Sequence, residues 1–329
     1  MAIGETAYVN SVREQLLAGR ARLAEVLAGG EKDRVNRLLN EVDQALQRIE
    51  DHSFGICEEC HTDIGEDWLR ENPLTTVCLE HMTPKQQRAL EYDLELAAQI
   101  QKGLLPAADT TFAGWEIAHY YQPAGVVSGD YCDVIRENGH LYFIMADVSG
   151  KGVAAAMLAS NLRAVFRSLI PLGLGVEEFV LRANRLFRES ALPSQYATTV
   201  FGRTSSQGGL ELLNVGHLPV LLAGKNAISR FESTCRPLGM FSDDTLCVTR
   251  AQMSPGDTLV LYTDGISEAA NQRDEEYGID AVMKLVSENR LRGPIQLVRA
   301  VKQNLAAFRG GAERADDETL LAIQYAPAA

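Results

Sequence analysis

The hydrophobic period changes along the chain. Between Val12 and Glu50 apolar residues recur every three or four positions: Val12, Leu16, Leu23, Val26 and Leu27 on one segment, then Val35, Leu38, Leu39, Val42, Leu46 and Ile49, with Gly29-Gly30 between them. That spacing puts each set on one helical face, so it predicts two amphipathic helices that meet at a hairpin and bury their stripes against each other. After a compact segment from Cys57 to His81, Thr83-Pro84 opens a further helix that runs to about Leu105, where Pro106 ends it. Its stripe of Leu90, Leu94, Ala97, Ile100 and Leu104 suits a coiled-coil or docking helix, which at this length is stable only when packed on something else.

Beyond Trp115 the period shortens to that of strands separated by Gly- and Asp-containing turns. Strands are expected at Trp115–Tyr121, Leu141–Asp147, Ala197–Arg203, Leu210–Asn214, Val220–Ala223, Thr258–Thr263 and Thr319–Gln324. Helices are expected at Ala154–Ile170, Val176–Glu189, Ile279–Asn289 and Pro294–Phe308. Strands in hairpin-like succession with helices inserted in pairs indicate α+β layers rather than βαβ alternation. Three parts follow: residues 1–82 as a helical hairpin with a small metal module, 83–106 as a linker helix, and 107–329 as the main domain.

A chain of 329 residues with 46% hydrophobic content can build more than one core, and its formal charge of −13 argues against a broad nucleic-acid footprint, which needs clustered Lys and Arg. The excess acid fits a solvated surface and also clustered Asp that hold divalent metal. Met1–Asn10 lacks the basic flank and apolar run of a signal peptide, and no stretch of 18 apolar residues occurs, so a cytoplasmic location and no membrane contact are expected. Of six cysteines, Cys57, Cys60 and Cys78 cluster, whereas Cys132, Cys235 and Cys247 are scattered and read as buried small hydrophobes.

Cys57-x2-Cys60, 17 residues, then Cys78-x2-His81 is the spacing of two ligand pairs on tight turns, and three thiolates with one imidazole suit a single tetrahedral zinc. The closed shell makes that zinc structural. His61 is the competing nitrogen ligand. The segment ALQRIEDHSFGICEECHTDIGEDWLRENPLTTVCLEH resembles the DksA/TraR-type zinc finger over roughly residues 10–82, with His81 where that family usually has a fourth Cys. Members of that family bind RNA polymerase through an acidic hairpin tip, but AGGEKDR lacks a matching pair of carboxylates, so polymerase binding is not carried over.

Four Asp-containing segments stand out in the main domain: SGDYCD with Asp130 and Asp133, ADVSGKG with Asp147, YTDGISEA with Asp264, and RADDETL with Asp316 and Asp317. Asp147 and Asp264 each end an apolar run before a Gly-containing turn, and Asp316 and Asp317 lead directly into another. Unpaired carboxylates at the ends of core strands do not serve packing, and several that converge are what Mg²⁺ or Mn²⁺ require.

With LAAQIQKGLLP, SGDYCD, ADVSGKGVAAAM, NVGHLPVLL, RPLGM, LVLYTDGISEA and DDETLL in this order, the chain from about Leu90 to Gln324 resembles the metal-dependent protein phosphatases of the PPM (2C) type, in the bacterial branch typified by RsbU and SpoIIE. The resemblance implies a four-layer αββα sandwich that uses two Mn²⁺ or Mg²⁺ ions to dephosphorylate Ser or Thr on a regulatory protein such as a STAS-domain anti-sigma antagonist. It implies Asp130, Asp147, Asp264 and Asp316 as ligands, Asp147 bridging, with the Val148 carbonyl completing one shell and Asp317 and Asp133 as second choices. It also implies a homodimer through the linker helix. Unlike eukaryotic members, this chain has Ser149 in place of a His, and no Arg ahead of Asp130 to hold the substrate phosphate. His217 reads as a hydrogen-bonded histidine in a turn between strands. The rival readings are a non-catalytic regulator that binds RNA polymerase or another protein, and a metal-dependent nucleotide hydrolase. The latter lacks any phosphate-cradling loop, SGKG being too short for one.

Overall fold

The computed structural model describes residues 7–27, 32–65, 68–69, 72–81, 84–107, 110–112, 114–192, 194–241 and 246–327. The chain divides into two compact units, Met1–Asp93 and Leu94–Ala329. The expected Gly29-Gly30 tip and Thr83 lie outside the described residues.

In the first unit, α1 (Ala7–Leu27) and α2 (Lys32–Glu50) are the two expected helices; the side chains of Val26 and Leu27 lie outside the described residues. Val12 and Leu16 of α1 pack with Val42 and Ala45 of α2, and the core continues into Phe54, Cys57, Ile64 and Leu69. The last turn of α2 sends Arg48 across to the carbonyls of Ser53, Ile56 and Thr75, so one guanidinium satisfies three acceptors of the Cys-bearing loops. Helix α3 (Pro84–Leu104) follows. Its expected stripe is only partly realised: Ile100 is exposed with Tyr92 and Leu96, four residues apart along one face, while Gln101 is buried in its place.

The second unit is a sandwich of two antiparallel sheets. Its strands are β1 (Thr110–Phe112), β2 (Trp115–Gln122), β3 (Asp130–Glu137), β4 (His140–Val148), β5 (Ala197–Ser205), β6 (Gly209–Val215), β7 (Val220–Ala223), β8 (Ile228–Phe231), β9 (Thr249–Gln252), β10 (Thr258–Tyr262) and β11 (Glu318–Tyr325). One sheet runs β1-β2-β11-β10-β7-β8 and the other β3-β4-β5-β6-β9. Helices α4 (Gly152–Leu169) and α5 (Val176–Ser190) cover the outer face of the smaller sheet; a single turn α6 (Asp264–Ser267), then α7 (Ile279–Asn289) and α8 (Pro294–Arg309), belong with the larger.

The period-two alternation explains why β4 reads as an unbroken apolar run. Leu141, Phe143 and Met145 enter the core between the sheets, while Tyr142, Ile144, Ala146 and Val148 meet α4 and α5. Likewise Leu321 and Ile323 of β11 face the other sheet, and Leu320 and Ala322 face α8. The four layers expected from the resemblance are thus present. Gly152–Leu172 is the one stretch among the described residues long and apolar enough to cross a bilayer; its apolar side, from Ala155 to Leu169, is core.

Strands β1, β3, β8 and β9 lie outside the sequence expectations. The first, eighth and ninth are short and lie at sheet edges. Strand β3 was masked by Asp130 and Asp133, whose charges break the apolar pattern but are satisfied by tertiary partners. The scattered cysteines divide: Cys132 is buried and Cys235 half-buried, but Cys247 is exposed, because it lies in the irregular approach to an edge strand.

Candidate functional site

Strand β3 begins with Asp130 and β4 ends in Asp147-Val148, and the register sets Asp130 opposite Asp147. Both belong to the face between the sheets, since alternation along the strands groups them with Cys132 and Met145, which point inward. From the other sheet, β10 runs into Thr263 and Asp264, while Asp316 and Asp317 introduce β11. The Thr263 amide donates to the Thr319 carbonyl at 3.0 Å, extending the β10–β11 ladder to this end. Four segments that are distant in sequence therefore meet at one end of the sandwich.

Asp130 is 4% exposed, and its Oδ2 accepts from Thr263 Oγ1 at 2.8 Å and from Thr319 Oγ1 at 2.5 Å. Burial, then the charges of Asp147 and Asp317, push its carboxyl well above the usual range. Asp147 is pushed up to about 7 by burial first and then by Asp264, Asp316 and Asp317. Asp264 is raised by burial and then by Asp316. These carboxylates crowd one another, and Lys151, whose Nζ lies 3.2 Å from Asp316 Oδ2, offsets part of the repulsion. Hard oxygen donors gathered at such mutual cost fit divalent cations, whose charge would relieve it.

Asp317 serves a second purpose. Its two oxygens accept from the amides of Ala124 and Gly129, each at 2.8 Å, and so fix the loop that delivers Asp130. Two glycines permit the close approach of backbones. A Cβ on Gly265 would stand 2.0 Å from the Asp317 carbonyl oxygen, and one on Gly129 would stand 3.0 Å from the Val148 carbonyl oxygen. Any side chain at 265 would force the Asp264 and Asp316 segments apart.

Asp133, a second-choice ligand by resemblance, points to the opposite face of β3. It is fully buried and is paired with Arg167 at 2.8 and 3.0 Å, with Tyr131 Oη donating at 2.8 Å. Its carboxylate is committed to α4 and does not join the cluster. His217 is a buried turn histidine, as its sequence context indicates. Its ring spans Thr198 Oγ1 (2.7 Å) and the Tyr262 carbonyl (3.1 Å), and burial holds it down at about 4, hence neutral. Thr198 is the register partner of Asp147, so this ring links the two carboxylate-bearing sheets.

Sequence reasoning missed Thr263, Thr319 and Gln101. The first two lie inside the motifs LVLYTDGISEA and DDETLL, but their hydroxyls acquire a role only when the sheets face each other. Gln101 pairs with the Ser128 backbone in both directions, at 2.7 and 2.9 Å, and Ser128 Oγ accepts from the Asp130 amide at 3.0 Å.

In the first unit, the sulfurs of Cys57, Cys60 and Cys78 and a ring nitrogen of His81 all lie within 4.8 Å of one another and could hold one metal ion. Cys60 Sγ is 3.9 Å and His81 Nδ1 3.0 Å from Cys78 Sγ. Burial raises the Cys57 thiol, but backbone donors at Cys60, Cys78 and Glu59 outweigh it and bring the thiol down to about 6. His61 is exposed at a positive φ of 57° and is not part of the group.

This αββα sandwich, with carboxylates at one end of the sheets, has the PP2C-type fold. The SiaA PP2C domain of Pseudomonas aeruginosa superposes with a TM-score of 0.63 at 18% identity, covering 73% of this chain and 97% of that one. The RsbU and RsbW domains of Rv1364c from Mycobacterium tuberculosis give 0.57 at 28% identity over 68% of this chain and 63% of that one. Residues 137–326, more than half the chain, match the family described as Stage II sporulation protein E (SpoIIE), and the chain belongs to that family. Among curated relatives, the phosphoserine phosphatase RsbU of Bacillus subtilis is 23% identical, over 74% of each chain. Protein IcfG of Synechocystis is 28% identical over 70% of this chain, which spans only 41% of IcfG. The RNA polymerase-binding transcription factor DksA of Caulobacter vibrioides is 39% identical over 57 residues, 17% of this chain and 40% of that protein.

Raised carboxyls bind more protons folded than unfolded, so without metal the stability they contribute is present below the ordinary carboxylate pKa and is lost as pH climbs through the raised values. In chelator-treated protein the urea midpoint of the second unit is expected to fall as pH rises from about 5 to about 7.5. Asp147→Asn flattens that slope and Mn²⁺ reverses it; equal slopes in wild type and variant would refute the crowding.

Proposed function

We propose that the chain is a divalent-metal-dependent protein serine/threonine phosphatase acting on a phosphorylated regulatory protein, such as a STAS-domain anti-sigma antagonist, in partner-switching signalling. The observation that carries this reading is the meeting of Asp130, Asp147, Asp264 and Asp316 at one end of the sandwich of a chain whose curated relatives include a phosphoserine phosphatase. In it, these four carboxylates and the Val148 carbonyl would hold two Mn²⁺ or Mg²⁺ ions, and Asp147 would serve as the shared ligand, since its charge interacts with Asp130 on its own sheet and with Asp264 and Asp316 from the other. Asp317 contributes by fixing the 124–129 loop and through any lone pair left to it. Bound there, such ions would supply Lewis-acid stabilisation of the developing phosphoryl charge. Thr263 and Thr319 fix one oxygen of Asp130, which sets the direction of the other; His217 keeps the strand ends of the two sheets aligned.

With Mn²⁺ the purified chain is expected to hydrolyse p-nitrophenyl phosphate and a phosphoserine protein, and Asp147→Asn to lose at least about a hundredfold in rate. An unchanged biological effect in Asp147→Asn would point instead to a non-catalytic scaffold.

We further infer that Cys57, Cys60, Cys78 and His81 bind one structural zinc, whose four protein ligands leave no position for substrate. Elemental analysis should return one zinc per chain, and Cys78→Ser should lose both the zinc and the helical signal of the first unit. Full helicity without zinc would end this reading.

The proposed layout keeps residues 1–82 as the zinc-bearing hairpin, 83–106 as the linker and 107–329 as the phosphatase domain, in a cytoplasmic homodimer. The exposed apolar row Tyr92, Leu96 and Ile100 supports dimerisation through α3. Light scattering at tens of micromolar should give twice the chain mass, and Leu96→Glu with Ile100→Glu should give the monomer; a monomeric wild type excludes the dimer.

A further inference from the structure

Phosphate monoesters are dianions, and the cluster that must receive one is itself anionic. Beyond any bound cation, a positive side chain at the mouth of the cluster would favour that approach. The cations near the converging strand ends are mostly committed elsewhere. Arg167 and Arg163 lie against Asp133 on the far side of β3, and Arg309 and Arg314 are bound to the buried Glu318. Lys151 differs, because its partners are the cluster and its border: Asp316 Oδ2 at 3.2 Å and the Ala315 carbonyl at 2.6 Å.

We propose that Lys151 binds the phosphoryl group of the substrate, its ammonium passing from Asp316 to a phosphate oxygen once Asp316 is engaged by metal. The assignment rests on the phosphatase reading above and deepens it. The Lys151 side chain is 64% exposed and that of Asp316 45%, and an ion pair so open to water exchanges readily. A lysine is a compact charge with three donors on a flexible stem, suited to phosphate oxygens without fixed geometry. Its backbone is placed for the task. Lys151 is extended (φ −131°, ψ 169°) between Gly150 and Gly152, both at positive φ, and it is the N-cap of the 18-residue α4, where no side chain caps the first turn. The charge of the same ammonium also acts on Asp147 and Asp264, one carboxylate from each sheet.

The test is phosphate binding to the full Mn²⁺-loaded chain, read from paramagnetic relaxation of the ³¹P signal of inorganic phosphate, with Mn²⁺ affinity measured separately by electron paramagnetic resonance. Lys151→Ala is expected to weaken phosphate binding on the order of tenfold and to raise KM for the phosphoprotein, while Lys151→Arg retains most of the binding. Mn²⁺ affinity should hold or rise, because Asp316 loses a competitor. Equal phosphate affinity in wild type and Lys151→Ala overturns the assignment. So does a fall in Mn²⁺ affinity with unchanged phosphate affinity per loaded chain, which would make Lys151 only a brace for Asp316. A wild type that binds no phosphate also overturns it. Lys151-dependent phosphate binding without phosphoprotein turnover would leave the assignment standing and remove the hydrolase reading alone.

Discussion

One oxygen of Asp130 accepts from two threonine hydroxyls that belong to the opposite sheet, and this buried junction joins the two layers where the carboxylates gather. The rest of the site depends on it. A carboxylate at 4% exposure is tolerated only when its lone pairs are used, and the two hydroxyls use one oxygen while leaving the other for the cluster. The sandwich is therefore held in register at this end by polar contacts, whereas its middle is held by apolar packing of Phe143, Met145, Leu261 and Leu321.

Around that junction the supports are arranged in series. Asp317 holds the loop before Asp130 through two amides, Gln101 holds the same loop at Ser128, and His217 ties the Thr198 strand to the end of β10. Each fixes backbone rather than filling volume. The repulsion among Asp130, Asp147, Asp264 and Asp316 is thus opposed by a frame of hydrogen bonds that keeps the carboxylates together. The Cys57, Cys60, Cys78 and His81 group of the first unit is held by the same means: Arg48 gathers three carbonyls while backbone donors lower the Cys57 thiol.

Much of this was legible in the chain itself. The spacing Cys57, Cys60, Cys78 and His81 determined a four-donor group, because ligand pairs two residues apart form local turns. Long runs such as LYFIMAD and LVLYTD determined core strands ending in carboxylates, because only a strand buried on both faces is continuously apolar. The order of motifs carried the αββα layers. What escaped was local and conditional. Strand β3 is absent from the expected strands because its two carboxylates interrupt the apolar pattern and find their partners only in Arg167 and the threonines, and Asp133 resembled a ligand until the alternation of β3 turned it toward α4.

The sequence by itself determined which residues are chemically able to hold cations, since donor type is a property of the side chain. Tertiary structure decided which of them meet. Facing is set by strand register and by the pairing of distant strands, so Asp130 reaches Asp147 and two threonines far along the chain, while Asp133, three residues on, looks the other way.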